Sequence, residues 1–159
     1  MATPLEEDDD VLYYEDVAVG DRFELSGWTV TRAEIMDFAK MWAPQPFHID
    51  QTAAEESMFG DLVASGLHTM CVAMRLANRD VYRKVAALGG FGMSDVEIPR
   101  PVYVDETLSG HVEFTEKWDM DSDPDRGIVR VKYVLSNQQG DRVLAMHTDV
   151  IFAREPSAD

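Results

Sequence analysis

One helical pattern followed by three strand patterns is the feature that most limits the folds open to this chain. Apolar residues recur at helical spacing from about Ser65 to Ala86, at Leu67, Met70, Cys71, Met74, Ala77, Val81 and Val85. Small and apolar residues dominate the first three turns of this segment, which predicts a helix buried as the central axis of the domain.

Three segments after this helix show the alternation of apolar and other residues that is typical of strands. They read HVEFTEKWDM, GIVRVKYVLSN and VLAMHTDVIF, and the segment 137–141 is a predicted hairpin turn between the last two. One long helix followed by an antiparallel meander predicts the α+β class, with a sheet wrapped around the helix.

The part of the chain before the long helix has recognisable boundaries. A turn at Gly20 is followed by extended chain, and Thr31–Glu34 forms a capping box that opens a first helix. Pro44 ends that helix. A second capping box, Thr52–Glu55, predicts a short helix that stops before Gly60. We expect residues 1–10, which are polar and acidic, to be disordered and residues 11–155 to form a single domain.

The acidic composition restricts the partners of the protein. The net charge is −16, from 4 Lys and 10 Arg against 18 Asp and 12 Glu. Such a surface repels nucleic acid and anionic lipid, so neither is expected as a partner. The composition indicates either general solubility or, as we favour because Lys is scarce and Asp abundant, adaptation to a salty cytoplasm.

Other sequence features bear on localisation and cofactors. The apolar runs are too short to span a membrane, the N-terminus lacks a signal-peptide pattern, and Cys71 is the single cysteine, so we expect a cytoplasmic protein. Cys71 is predicted to be a packed, inert thiol. The acidic segment 119–127 and the glycine-rich segment 89–92 do not fit a calcium loop or a dinucleotide fingerprint. The histidine spacings predict no metal site, and no cofactor is expected.

The segment APQPFHID presents a histidine between two helices in a proline-stiffened loop, which is how a proton-transfer group is held. A second segment, FGDLVASGLHTM, brings Gly66 to the start of the long helix. The N–H of Gly66 is therefore free of helix hydrogen bonds and lies at the positive end of the helix dipole. Because Gly66 has no side chain, a carbonyl oxygen of a ligand could approach it closely.

Together these segments resemble the MaoC-like dehydratases, the (R)-specific enoyl-CoA hydratases of the hot-dog fold. The family's first motif is Asp-x-[Asn/Gln]-Pro-x-His-x-Asp, and its matching residues here are Gln45, Pro46, His48 and Asp50. Its second motif is Phe-Gly-x-x-[Ile/Val]-[Ala/Val]-x-Gly, matched by Phe59, Gly60, Val63, Ala64 and Gly66. The segment PRPVYVDETLSG is similar to the family's proline-rich approach to the next strand.

The resemblance implies a hot-dog fold, a homodimer formed by sheet pairing, and an acyl-CoA substrate of fatty acid metabolism bound at the dimer interface. It implies that His48 is the acid–base residue and that the Gly66 N–H stabilises the oxyanion. It also implies that the substrate lies against Pro46, Phe47 and Ser65. We expect His48 and Gly66 to face one apolar tunnel.

One position departs from the family pattern. The residue five before the histidine is an aspartate in active hydratases, and here it is Ala43, whose methyl group cannot exchange a proton. Asp50 is either a replacement carboxylate or, as in the family, a residue that orients the loop. The open alternatives are a hydratase, a non-catalytic acyl-CoA-binding protein or a hot-dog thioesterase, and Ala43 is either natural or an engineered replacement.

Overall fold

The computed structural model describes residues 10–158. The elements of this range are β1 (Arg22–Thr29), α1 (Arg32–Trp42), α2 (Pro46–Ile49), α3 (Gln51–Glu56), α4 (Gly66–Asp80), a 3-10 helix (Tyr82–Lys84), β2 (Ala87–Glu97), β3 (Thr107–Asp119), β4 (Arg126–Ser136) and β5 (Arg142–Ala153). The predicted disorder of residues 1–10 concerns positions outside the described range, apart from Asp10, which is exposed.

A single antiparallel sheet holds the five strands in the order β1-β3-β4-β5-β2. Helix α4 packs against both β1 and β5, which lie near opposite ends of this order, because the sheet curves around the helix. The core between them includes Leu76, Phe114 and Tyr133, all fully buried. The α+β class with a sheet wrapped around a long helix is therefore confirmed. No helix in residues 10–158 is long and apolar enough to cross a membrane.

The long helix ends earlier than its sequence pattern predicts, and its buried face coincides with the predicted one only in part. Helix α4 stops at Asp80, whose carboxylate accepts hydrogen bonds from the backbone N–H of Ser26 at 2.8 Å and its hydroxyl at 2.9 Å. The buried face consists of His68, Thr69, Val72, Ala73, Leu76 and Ala77. Leu67 is 53% exposed and Cys71 is also exposed, so the prediction of a packed thiol is wrong. Apolar residues occupy two neighbouring stripes of this helix, and spacing alone does not decide between them.

Strand β2 is absent from the sequence prediction, which considers the glycine-rich segment 89–92 only as a possible dinucleotide fingerprint. Gly89, Gly90 and Gly92 lie inside this strand, and its pairing with β5 is interrupted by three register shifts. The strand lies at the end of the sheet and is exposed along almost its whole length. Without a buried face it has no alternating pattern to detect.

One of the two predicted capping boxes is present, and the other is not. The capping box of Thr31 and Glu34 is present at the start of α1. The second predicted box is wrong, because α3 begins two residues earlier and Asp50 is its N-cap, with Oδ1 accepting from the Ala53 N–H at 2.8 Å. Asp50 is favoured as the N-cap because its short carboxylate can accept a hydrogen bond from an N–H group of the first helical turn.

Candidate acid–base site

The histidine of the proline-rich segment lies on a short helix and not in an irregular loop. Pro46 is the first residue of α2, where its fixed φ suits the helix and its missing N–H costs nothing. The His48 N–H donates to the Gln45 carbonyl at 3.0 Å and the Asp50 N–H to the Pro46 carbonyl at 2.9 Å. Asp50 then caps α3, so one residue ends α2 and begins the next helix. This exposed carboxylate is engaged in holding the backbone that carries His48.

His48 has a defined tautomer. Its side chain is buried, and Nδ1 lies 2.6 Å from the backbone carbonyl oxygen of Val63. A carbonyl oxygen only accepts, so Nδ1 must carry the proton. In the neutral ring Nε2 is then the unprotonated nitrogen, and it makes no hydrogen bond within residues 10–158. The ring is thus arranged to accept a proton at Nε2.

Helix α2 is attached to the chain that leads into α4. The Val63 N–H donates to the Phe47 carbonyl at 3.4 Å, so the peptide groups around Val63 contact both Phe47 and His48. The next residue, Ala64, donates its N–H to the Val102 carbonyl at 2.8 Å. The Phe47 ring packs edge-on against His48, with 4.5 Å between centroids. These contacts fix the imidazole relative to the start of α4.

The start of α4 presents a free backbone donor. Ser65 is the N-cap, and its hydroxyl accepts from the Leu67 N–H at 3.3 Å. Gly66 is the first helical residue, so its N–H has no acceptor within the helix and lies at the positive end of the helix dipole. An anionic oxygen placed here would be stabilised.

The side chain of Ile98, one residue beyond β2, lies over Gly66. A Cβ atom at position 66 would come within 2.5 Å of the Ile98 Cδ1, so the glycine is needed for this packing whatever else it does. The two main cavities of the described chain are lined by other residues than His48 and Gly66. The apolar tunnel expected at His48 and Gly66 therefore stays a prediction.

Ala43 lies at the C-cap of α1, directly before the segment that leads into α2. Its N–H donates to the Ala39 carbonyl at 2.9 Å and its carbonyl accepts from the Gln45 N–H at 2.7 Å. The residue is half-buried. Its backbone is thus held firmly, while its side chain offers only a methyl group.

Two cavities contain polar groups that the sequence did not point to. The smaller, of about 330 Å³, is lined by His68, whose ring stacks on Phe38 with 4.7 Å between centroids. The His68 Nδ1 is buried without a hydrogen-bond partner among the described residues, and burial lowers the pKa of this side chain. The larger, of about 490 Å³, is lined in part by Tyr82 and Thr148. No local motif marks these residues, because they meet only when the sheet closes on α4.

Fold and site together define a hot-dog domain with a candidate acid–base histidine next to a helix N-terminus. The chain belongs to the MaoC-like domain family, whose model matches residues 16–136. This confirms the resemblance read from the two motifs.

Known proteins similar to the chain include solved structures and an uncharacterised relative. A MaoC-like dehydratase from Rhodospirillum rubrum is 35% identical, with a TM-score of 0.83 over 92% of this chain and 99% of that one. The uncharacterised protein YdeM of Bacillus subtilis is 27% identical over 143 residues, which is 88% of this chain and 98% of YdeM. The R-hydratase PhaJ1 of Pseudomonas aeruginosa is 20% identical and shares the fold, with a TM-score of 0.73 over 94% and 93% of the two chains.

Proposed function

We propose that this protein is an (R)-specific enoyl-CoA hydratase/dehydratase that adds water across the double bond of acyl-CoA thioesters, and that Ala43 makes it a slow one. The observation that carries the proposal is the hydrogen bond from His48 Nδ1 to the Val63 carbonyl, because it leaves Nε2 as the unprotonated nitrogen of a ring held in a fixed orientation. Family membership and the shared fold of an R-hydratase support the same reaction class.

In the proposed reaction His48 transfers the protons and the Gly66 N–H stabilises the negative charge. His48 Nε2 takes a proton from water, and the resulting hydroxide forms a C–O bond at C3 of the enoyl thioester. The electron pair of the C2–C3 double bond moves onto the thioester oxygen, where the Gly66 N–H stabilises the enolate. The proton held by His48 then passes to C2, which restores the neutral imidazole and completes the addition of water.

Ala43 limits this chemistry because it offers no second proton-exchanging group. Losing one of two acid–base partners lowers a rate by about 10²- to 10⁴-fold. Asp50 does not replace it, since its carboxylate is occupied in capping α3. The same feature favours the second candidate function, an acyl-CoA-binding protein without turnover.

The active assembly is a homodimer, with acyl-CoA bound where the subunits meet. Strand β2 is one of the two edge strands of the sheet, and it exposes the side chains of Leu88, Phe91 and Met93 by 55%, 57% and 54%. An unpaired strand edge with apolar side chains favours pairing with another strand. Ile98, whose side chain packs on Gly66, would lie at the border of this interface.

The proposal is tested by following the absorbance of crotonyl-CoA with the native protein, with His48→Gln and with the matched control His111→Gln. His111 lies on β3, outside the candidate site. We expect slow hydration that is lost only in His48→Gln, and a 3-hydroxybutyryl product of R configuration. Binding of acyl-CoA with no turnover would instead identify a binding protein. Release of free thiol would identify a thioesterase.

A further inference from the structure

The chain around the candidate site is strongly acidic. Residues 31–66 lead from the N-cap of α1 through His48 to Gly66, and residues 97–106 include Ile98, whose side chain packs on Gly66. The two segments contain nine carboxylates and three basic side chains, which leaves a net charge of −6. More than a third of the net charge of −16 therefore belongs to the segments that carry or contact the proposed acid–base and oxyanion groups.

The three basic side chains of these segments do not form a phosphate site. Arg32 donates a hydrogen bond to the Gln51 side chain, and Arg100 forms an ion pair with Asp141 at 3.4 Å. Lys40 is exposed in the last turn of α1, at the opposite end of that helix from Arg32. Proteins bind a phosphate with several Arg, Lys or backbone N–H donors that converge on it. Two of the three basic groups are engaged and the third is alone, so these segments offer no such cluster.

Half of the 14 basic residues of the chain are engaged in other contacts. Six form ion pairs with carboxylates, and the Lys117 ammonium donates to two backbone carbonyls. Arg83 and Lys84 are exposed and consecutive, but they follow the C-terminal end of α4, about 21 Å from Gly66 at the rise of a helix. A second copy in the proposed homodimer brings a further net charge of −16. Its Arg83 and Lys84 are the cluster that would most readily attract a phosphate.

An acyl-CoA thioester has a neutral part and a charged part. The acyl group and the pantetheine arm carry no net charge, whereas the phosphates of the nucleotide are negative at neutral pH. Like charges repel, and the Debye length that limits this repulsion falls from about 10 Å at 0.1 M salt to about 3 Å at 1 M. Salt therefore weakens the repulsion between the phosphates and the acidic segments, but it has little effect on contacts with the neutral part.

We propose that this protein recognises a thioester through its acyl group and pantetheine arm alone, that it repels the phosphates of CoA, and that salt therefore controls its affinity for acyl-CoA. This inference rests on the proposed function for the thioester substrate. A site that contacts the phosphates with cations would show the opposite behaviour, because salt weakens attraction between unlike charges.

The test measures binding and needs no turnover. Calorimetry compares butyryl-CoA with S-butyryl-pantetheine, two saturated thioesters that cannot be hydrated, at 0.1 M and 1 M KCl. The neutral thioester corrects for any effect of salt on folding or on apolar contacts. We expect the Kd of butyryl-CoA, relative to that of butyryl-pantetheine, to fall by about 3- to 10-fold as salt rises. A ratio that stays constant or rises with salt would overturn the inference.

A matched pair of charge reversals separates local from overall repulsion. Glu56 is exposed at the end of α3, close in sequence to His48. Asp121 is exposed beyond the far end of β3, a strand of 13 residues or about 40 Å that starts next to the segment 97–106. At 0.1 M KCl, Glu56→Lys should tighten the binding of butyryl-CoA by about 2- to 5-fold and leave that of butyryl-pantetheine unchanged. Asp121→Lys should change neither, and equal effects of the two variants would contradict the local repulsion.

A double variant tests the other possible location of the phosphates. If the exposed basic pair of the partner subunit held them, Arg83→Gln with Lys84→Gln would weaken butyryl-CoA binding several-fold at 0.1 M KCl, and the inference would be wrong. We expect no weakening beyond about 2-fold. Hydration of crotonyl-CoA together with a Kd ratio that rises with salt refutes the inference alone. The expected salt dependence without any hydration refutes the proposed function alone, and binding of neither thioester refutes both.

Discussion

Restoring a carboxylate at position 43 is the most direct test of how this site works. Position 43 is the C-cap of α1 and lies two residues before the N-cap of α2. In Ala43→Asp the new carboxylate would therefore be attached to a backbone whose position is already fixed. It would favour the imidazolium that forms at His48 during proton transfer and would provide a second proton acceptor. We therefore expect hydration of crotonyl-CoA to become about 10²- to 10⁴-fold faster.

The structure also sets the expected cost in stability. Position 43 is the C-cap of α1, where a negative charge faces the negative end of the helix dipole. This arrangement costs about 0.3–1 kcal/mol, so for a chain of this size the melting temperature should fall by no more than about 4 °C. Scanning calorimetry beside the absorbance assay separates a gain in catalysis from a change in folding.

Ala43→Asn is the matched control because it has nearly the same shape but cannot exchange a proton. We expect it to stay as slow as the native protein. Equal rates for the Asp and Asn variants would refute the reasoning. So would a native protein that already turns over at an ordinary enzymatic rate and gains nothing from Asp, since another residue would then supply the second proton transfer.

Three further outcomes are expected. Asp50→Ala should lower the free energy of unfolding by about 1 kcal/mol in urea denaturation, whereas the matched control Asp10→Ala, outside the caps, should not. Thermal unfolding in KCl should show a melting temperature that rises from low to molar salt, because the net charge of −16 is screened; a flat or falling curve contradicts this. Burial lowers the folded-state pKa of His68, so its contribution to stability is present above the unfolded pKa of about 6.5 and is lost as the pH falls below it. His68→Asn should weaken this acid sensitivity in denaturation curves, and an unchanged pH profile would count against it.

Local sequence signals predicted the elements that have their own periodicity or caps. The strands around Val112, Val131 and Met146 form where their alternation places them, and Thr31 caps α1 as its motif indicates. Helix α4 also forms, but the choice between its two apolar stripes depends on which one the sheet covers. Cys71 shows this error most plainly, since it is exposed whereas Ala77, on the same predicted stripe, is fully buried.

The candidate site was predictable in its residue types but not in its chemistry. The motifs point to His48 and Gly66, yet the tautomer of His48 depends on the Val63 carbonyl, 15 residues further along the chain. Ile98 contacts Gly66 from a position even further away in the sequence, and neither local pattern predicts this contact. Such contacts depend on how the elements pack, which periodicity does not encode.

The hydrogen bonds around Val63 have a mechanical consequence. This residue contacts the proposed base through its carbonyl and α2 through its N–H, and it lies only three residues before the proposed oxyanion donor at Gly66. A tilt of the first turn of α4 would therefore carry His48 with it. We expect the two groups to move together, so that a substrate that shifts this end of the helix changes the position of the site but keeps the spacing between the proton acceptor and the oxyanion donor.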